Sequence, residues 1–237
     1  MFESFDTIYY IASALLLPMI IYSFYVSYNV NKTFRDFSQV FAASGITASE
    51  AARKMLENAG IYNVAIDRVR GSLTDHYNPK ENTIYLSDTV YSSSSVAAIG
   101  VAAHETGHAI QHQNGYAPLK IRTALVPLVN IGSKLAIPLI IIGALLGISS
   151  LAGIYMLYIG IAFYALTTLF MFITLPVEFN ASRRAKSTLY ETGILTADEV
   201  PLTGKVLSAA AKTYVASFAV SLLYLIRFMG IFLRRRR

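Results

Sequence analysis

A chain of 237 residues that is 54% hydrophobic and only 14% charged is too apolar for an ordinary soluble domain, and its mean hydropathy of +0.49 places it in the membrane class. It contains no cysteine, which excludes disulfides and thiolate metal sites and leaves histidine and carboxylate as the strong ligands for a transition metal. The net charge of +6 is not accompanied by interleaved aromatic and basic residues, so nucleic acid is excluded as the expected partner and the basic groups read as juxtamembrane residues facing anionic lipid.

Residues 7–31 carry no charge and exceed the roughly 20 apolar residues a bilayer crossing needs. Glu3 and Asp6 stand where a cleaved signal would be basic, and no small-residue cleavage site follows, so residues 1–30 are expected to be a retained membrane anchor. Residues 31–123 are the one sizeable polar region, suited to a small α+β domain. Within it, Thr47-Ala48-Ser49-Glu50 is a capping-box pattern opening a helix that runs to Asn58 and ends at Ala59-Gly60. Residues 64–69 and 83–86 gather β-formers on either side of Asn78-Pro79 and predict a small sheet. If residues 83–86 form a sheet edge, an extended peptide could add there as a further strand.

A serine loop at residues 92–95, with Ser94 or Ser95 as cap, leads into residues 95–113, which lack proline and place Val96, Ile99, Ala103, Gly107 and Ile110 at helical spacing. This helix carries His104-Glu105-Thr106-Gly107-His108 and is expected to stop at Asn114-Gly115. Histidines four apart lie one turn, about 5.4 Å, from each other on one face, so both can bind one tetrahedral ion. Glu105 then falls beside the ion, where it suits a general base acting on a zinc-bound water. His112 extends the series, but it lies about 12 Å from His104 along a straight helix and fits an orienting or lining role better than a ligand role. The pattern alone is only moderately specific, and catalytic zinc calls for a third protein ligand from elsewhere.

Residues 124–177 are expected to form a transmembrane helical hairpin, the charge-free run 135–177 holding two spans with a turn at residues 147–153. Glu178 opens the stretch Glu178-Phe179-Asn180-Ala181-Ser182-Arg183-Arg184-Ala185 in the segment 178–205, and a carboxylate at the end of a span is costly without a partner. It is either the third ligand or an interfacial glutamate paired with Arg183 or Arg184. A hairpin returns the chain to the face it left, so Glu178 can meet His108. Residues 206–237 read as a membrane-associated helix with the basic tail Arg234–Arg237, either spanning with Arg227 snorkelling or packed at the interface. Lys32, Arg35, Lys120, Arg122, Arg183, Arg184 and Lys186 flank the polar domain while the hairpin turn has no charge, which predicts a cytoplasmic catalytic face.

The joined motifs Leu73-Thr74-Asp75-His76-Tyr77-Asn78-Pro79, His104-Glu105-Thr106-Gly107-His108-Ala109-Ile110-Gln111, Tyr116-Ala117-Pro118-Leu119 and residues 178–185 resemble the YugP-like membrane zinc metallopeptidases of bacteria, in order and over nearly the whole chain. More distantly, the chain is similar to gluzincin membrane proteases of the HtpX type. The resemblance implies His104, His108 and Glu178 as ligands of one catalytic zinc ion and Glu105 as the base. In the HtpX type an aspartate follows in Glu-x-x-Ala-Asp, and Ser182 stands in its place here; Asn180, Asp88 or Asp75 could substitute in fixing a histidine tautomer. His76, Tyr77 and Tyr85 are candidate oxyanion donors.

The expected fold is therefore a mainly α membrane protein with three to four apolar membrane helices and a small α+β, zincin-like domain carrying the metal helix. The expected activity is zinc-dependent endopeptidase hydrolysis of a peptide or protein substrate at a bacterial plasma membrane. The alternative is a membrane scaffold or partner-binding protein in which the metal serves structure only. An intramembrane protease of the site-2 type is disfavoured by the polar run Gln111-His112-Gln113-Asn114 and by the lack of aspartate in the hairpin spans.

Overall fold

The structure is a computed structural model that describes residues 2–147 and 149–235, with side chains over residues 7–147 and 149–230. Glu3 and Asp6, Ile148 in the hairpin turn and the Arg234–Arg237 tail lie outside the described side chains. The element order is α1 (Phe2–Phe37), α2 (Ala48–Asn58), β1 (Ala65–Val69), β2 (His76–Asn78), β3 (Thr83–Ser87), α3 (Val96–Gln113), α4 (Ala117–Leu146), α5 (Leu151–Glu191) and α6 (Val200–Arg235). The protein is a mainly α membrane protein with a small α+β part. Among the described residues, four stretches are long and apolar enough to cross a membrane: Thr7–Phe37, Ala117–Leu146, Leu151–Glu191 and Val200–Gly230.

The chain divides into two compact units. One holds residues 26–120 and 176–212, and its core is built from small residues on α2 (Ala48, Ala51, Ala52), large ones beside them (Met55, Leu56), Ile84 and Leu86 of β3, the apolar positions of α3, and Leu189, Ile194 and Leu195. Helix α2 begins as its sequence dictates: the Thr47 side chain accepts from the Glu50 N–H and the Glu50 carboxylate accepts from the Thr47 N–H, satisfying two amides that a helix start leaves unpaired. Gly60, at φ +71°, supplies the left-handed residue that lets the chain turn away. Ser95, not Ser94, caps α3 by accepting from the Ala98 N–H, and Gly115 at φ +62° follows the other end of the helix.

The sheet has the order β1-β3-β2. Strand β1 runs parallel to β3, with Ile66 opposite Ile84, and β2 runs antiparallel, with His76 opposite Tyr85. Residues 83–86 are thus the central strand and not a sheet edge, so the condition for strand addition there is not met. The density of β-formers that marked them is what a strand flanked on both sides and largely buried requires. The edge beside α3 is the three-residue β2, followed at once by Pro79, a residue that cannot donate to a ladder and is compatible with an edge.

The second unit holds residues 1–25, 121–175 and 213–237. Small residues let α4 and α5 approach closely, as membrane helices commonly do in place of a hydrophobic driving force. A Cβ at Gly160 would lie 2.9 Å from the Ala136 carbonyl oxygen, and one at Gly143 would lie 2.8 Å from the Gly153 carbonyl oxygen. Helices α5 and α6 are joined by a buried hydrogen bond of 2.7 Å between the Thr168 and Ser221 hydroxyls. Helix α6 begins at Val200, ahead of the apolar pattern, where the Glu199 carboxylate accepts from the Thr196 N–H and Pro201 sits in the first turn.

Candidate metal centre

Helix α3 is buried on nearly every side, and it crosses the part of α5 that carries Glu178 at very short range. The contact is made at Gly107, where an added Cβ would sit 2.7 Å from the Ala181 carbonyl oxygen. Three residues N-terminal and one C-terminal to it sit His104 and His108, so the glycine lies within the histidine pair rather than outside it. The His104 and His108 rings meet edge-on with centroids 4.7 Å apart. Glu178 Oε2 lies 3.1 Å from His104 Nε2 and 3.6 Å from His108 Nε2. Ligand atoms of all three residues fall within 4.8 Å of one another. Two ligands bound tetrahedrally to zinc at 2.0–2.1 Å are about 3.3 Å apart, so the spacing suits one such ion.

The hydrogen bonds behind these residues fix which nitrogen faces the cluster. Gln111 Nε2 donates to the Val177 carbonyl at 2.8 Å and to Asn180 Oδ1 at 2.9 Å, which sets its amide orientation. Its Oε1 therefore faces His108 Nδ1 at 3.0 Å and can only accept, so that nitrogen carries the proton and Nε2 presents a lone pair. Asn180 Oδ1 also accepts from Arg184 Nε at 2.8 Å, giving a chain Arg184, Asn180, Gln111, His108. On the other histidine, the Ser182 hydroxyl lies 3.1 Å from His104 Nδ1, in the place anticipated for an aspartate. Glu178 pairs with the two histidines, and not with Arg183 or Arg184.

Burial opposes a charge on His108, yet the hydrogen bond a protonated ring donates to Glu178 and the charges of Glu105 and Glu178 outweigh it and hold the imidazole pKa above its ordinary value. The cluster thus favours positive charge. With two imidazole nitrogens, one carboxylate oxygen, no thiolate and an orienting partner on each ring, the donor set fits zinc.

Glu105 is buried beside the cluster, and its Oε2 accepts the backbone N–H of Tyr77 at 3.0 Å from the edge of β2. The Tyr77 hydroxyl donates to Asn82 Oδ1 at 2.8 Å and so accepts from His112 Nδ1 at 2.8 Å. Burial pushes this phenol up to about 12. His112 is outside the metal cluster, as its distance along the helix required. His76 stacks on Tyr85 with centroids 5.0 Å apart and bonds through Nδ1 to the Thr74 carbonyl, while the Tyr85 hydroxyl donates to Glu81. Asp75 accepts from the N–H and hydroxyl of Ser87, and Asp88 pairs with Arg68, so neither holds a ligand histidine. Burial, with the charge of Glu105, raises the Asp75 pKa against the opposing Ser87 hydrogen bonds.

A family model described as "Putative neutral zinc metallopeptidase" matches residues 12–233. The chain belongs to this zinc metallopeptidase family. The Bacillus subtilis (strain 168) protein named "Putative membrane protease YugP" is 45% identical to this family member over 214 residues, 90% of this chain and 93% of that protein. No solved structure matches it.

Sequence reasoning named Gln111 only as a polar neighbour. Its spacing of three from His108 on one helix was the available signal, since residues three apart share a face. Gln111→Ala is expected to weaken zinc affinity roughly 10- to 100-fold while His108 stays in place, measured by competition against a chromogenic chelator. An unchanged affinity would show that His108 needs no orienting partner.

Proposed function

We propose that this protein is a membrane-bound zinc-dependent metalloendopeptidase of the gluzincin-like His-Glu-x-x-His type, with one zinc ion on His104, His108 and Glu178 and Glu105 as general base. The observation that carries the reading is the approach of Glu178 Oε2 to both histidine Nε2 atoms, with buried Glu105 alongside. Zinc bound there would supply a Lewis acid able to lower the pKa of a water to about 7 and polarise a scissile carbonyl.

The chain supplies the rest. Glu105 takes the proton from the attacking water and returns it to the departing amine. The Tyr77 N–H holds one carboxylate oxygen of Glu105 and leaves the other for the proton. Gln111 and Ser182 hold the two ligand rings, and Asn180 holds Gln111. Of the candidate oxyanion donors, the hydroxyls of Tyr77 and Tyr85 are already donated within the fold, to Asn82 and Glu81. Apart from the Tyr77 N–H, which Glu105 already holds, the unpaired side of β2 could offer main-chain groups to an extended peptide. The substrate is accordingly a peptide or protein in an extended stretch, and the basic residues at the domain ends of the spans favour a cytoplasmic catalytic face at a bacterial plasma membrane.

The ligand set is tested by zinc stoichiometry on detergent-purified protein. Wild type is expected to hold one zinc per chain, and His104→Ala and Glu178→Ala to lose it. Full zinc content in Glu178→Ala would place the third ligand elsewhere.

A further inference from the structure

Away from the metal centre, a cavity of about 640 Å³ opens among α1, α5 and α6, all within the unit that carries the α+β part. Its polar lining is Asn29 and Thr33 from α1, Lys186 from α5, and Lys205, Ser208 and Lys212 from α6. Among the described residues no carboxylate lines it. The spacing on each helix explains the shape: Asn29 and Thr33 are one turn apart, and Lys205, Ser208 and Lys212 follow one face of α6 over two turns, about 10 Å.

Three ammonium groups around one cavity repel one another, and the fold does not neutralise them. None of the three lysines forms an ion pair among the described residues. Lys205 instead lies over the Phe37 ring, with Nζ 5.6 Å from the centroid. Two acids adjacent in sequence to lining residues are engaged elsewhere: Asp36, beside Phe37, pairs with Lys32, and Glu199, beside Val200, accepts the backbone amides of Thr196 and Ala43. A lysine cluster left without counter-charge in a cavity lined by hydroxyl and amide groups is built for an anion with several oxygens.

The position of the cavity selects the anion. Asn29 stands at the polar end of the charge-free run 7–31 of α1, and Lys212 immediately precedes the charge-free run 213–226 of α6. Both helices therefore enter charge-free runs directly from the cavity, each inside a stretch long and apolar enough to cross a membrane. That is the level at which phospholipid headgroups lie, and basic pockets between helices at that level bind anionic headgroups.

We propose that this cavity binds the phosphate headgroup of an anionic phospholipid, with Lys186, Lys205 and Lys212 as the charge partners and Asn29, Thr33 and Ser208 as hydrogen-bonding partners. The proposal is independent of the peptidase reading, because no residue of the metal cluster takes part.

The full chain, purified in detergent and delipidated, would be titrated with phosphatidylglycerol or phosphatidylcholine and read by native mass spectrometry. Wild type is expected to take up phosphatidylglycerol in preference to phosphatidylcholine. A Lys186→Gln, Lys205→Gln, Lys212→Gln triple variant is expected to lose affinity on the order of a hundredfold. The corresponding triple arginine variant should retain it, and Ser208→Trp, which keeps every charge and fills the cavity, should abolish the preference. Equal uptake of the two lipids by wild type, or equal phosphatidylglycerol uptake by wild type and by either the triple glutamine or the Ser208→Trp protein, would overturn the proposal. Inorganic phosphate at tens of millimolar is expected not to displace the lipid. Displacement at those concentrations would assign the cavity to a soluble phosphate and overturn the lipid assignment.

Discussion

Glu105→Gln is expected to keep one zinc per chain and to lose hydrolysis of unfolded casein by roughly 10²- to 10⁴-fold, the usual contribution of a positioned general base. The substitution preserves shape and keeps an oxygen that can accept the Tyr77 N–H, so the strand-to-helix contact at 3.0 Å can survive. What it removes is the ability to take a proton. Because Glu105 also adds negative charge near His108, the amide makes the cluster somewhat less attractive to a cation, and zinc content must be measured on the same sample. A Glu105→Gln protein that binds zinc normally and cleaves casein at the wild-type rate would remove Glu105 from the mechanism. Zinc-loaded wild type with no cleavage of any unfolded substrate would turn the reading toward a structural metal.

Gly107→Ala is expected to weaken zinc binding at least tenfold and to lower the unfolding temperature, although alanine is the better helix former by about 1 kcal/mol. The opposing term is contact with main chain: the new Cβ would meet the Ala181 carbonyl oxygen at 2.7 Å and its Cα and carbonyl carbon at 3.2 Å. No rotamer change relieves a clash with backbone, so α3 and α5 must shift, at the 1–3 kcal/mol typical of overpacking. His104 and His108 sit on one of these helices and Glu178 and Ser182 on the other, so the shift passes directly into the ligand spacing. Gly204→Ala is the matched control in the same unit, since its Cβ would meet nothing closer than Lys186 Cδ at 3.5 Å. There the propensity term stands alone, and unchanged or slightly raised stability is expected. A Gly107→Ala protein that behaves like Gly204→Ala, in chelator competition and thermal unfolding, would show that the two helices have slack at the metal cluster.

The parts legible in the sequence are those written in local chemistry. The Thr47 and Glu50 box, the Ser95 cap, the glycines at 60 and 115 and the proline-free helix between Val96 and Gln113 all act through neighbours a few residues away, and each stands where its pattern put it. The spans were legible for the same reason, since charge-free length is a property of the chain alone. The proximity of Glu178 to the histidines followed from a counting argument about a hairpin joined to a resemblance, and the structure brings those three residues together. The order of the strands was not legible. A short strand such as β2 carries too few residues for a period, and the strongest strand pattern belonged to the middle of the sheet rather than its edge. Gln111 does not stand out in the sequence because its polarity reads first against a bilayer, and only then against the histidine on its own face. The Gly107 contact is invisible in the sequence because a glycine within a helix reads only as a weakly apolar position, and what it allows lies on a helix far along the chain.

The amide that steadies Glu105 belongs to the main chain of residue 77, not to its side chain. Any amino acid except proline carries that N–H, so evolutionary drift at this position can exchange the phenol without touching the bond. What this bond requires is the path of β2 rather than the letter written there. Comparison of relatives, which sees letters, would register the histidines and glutamates of this centre and pass over the group that aims the base.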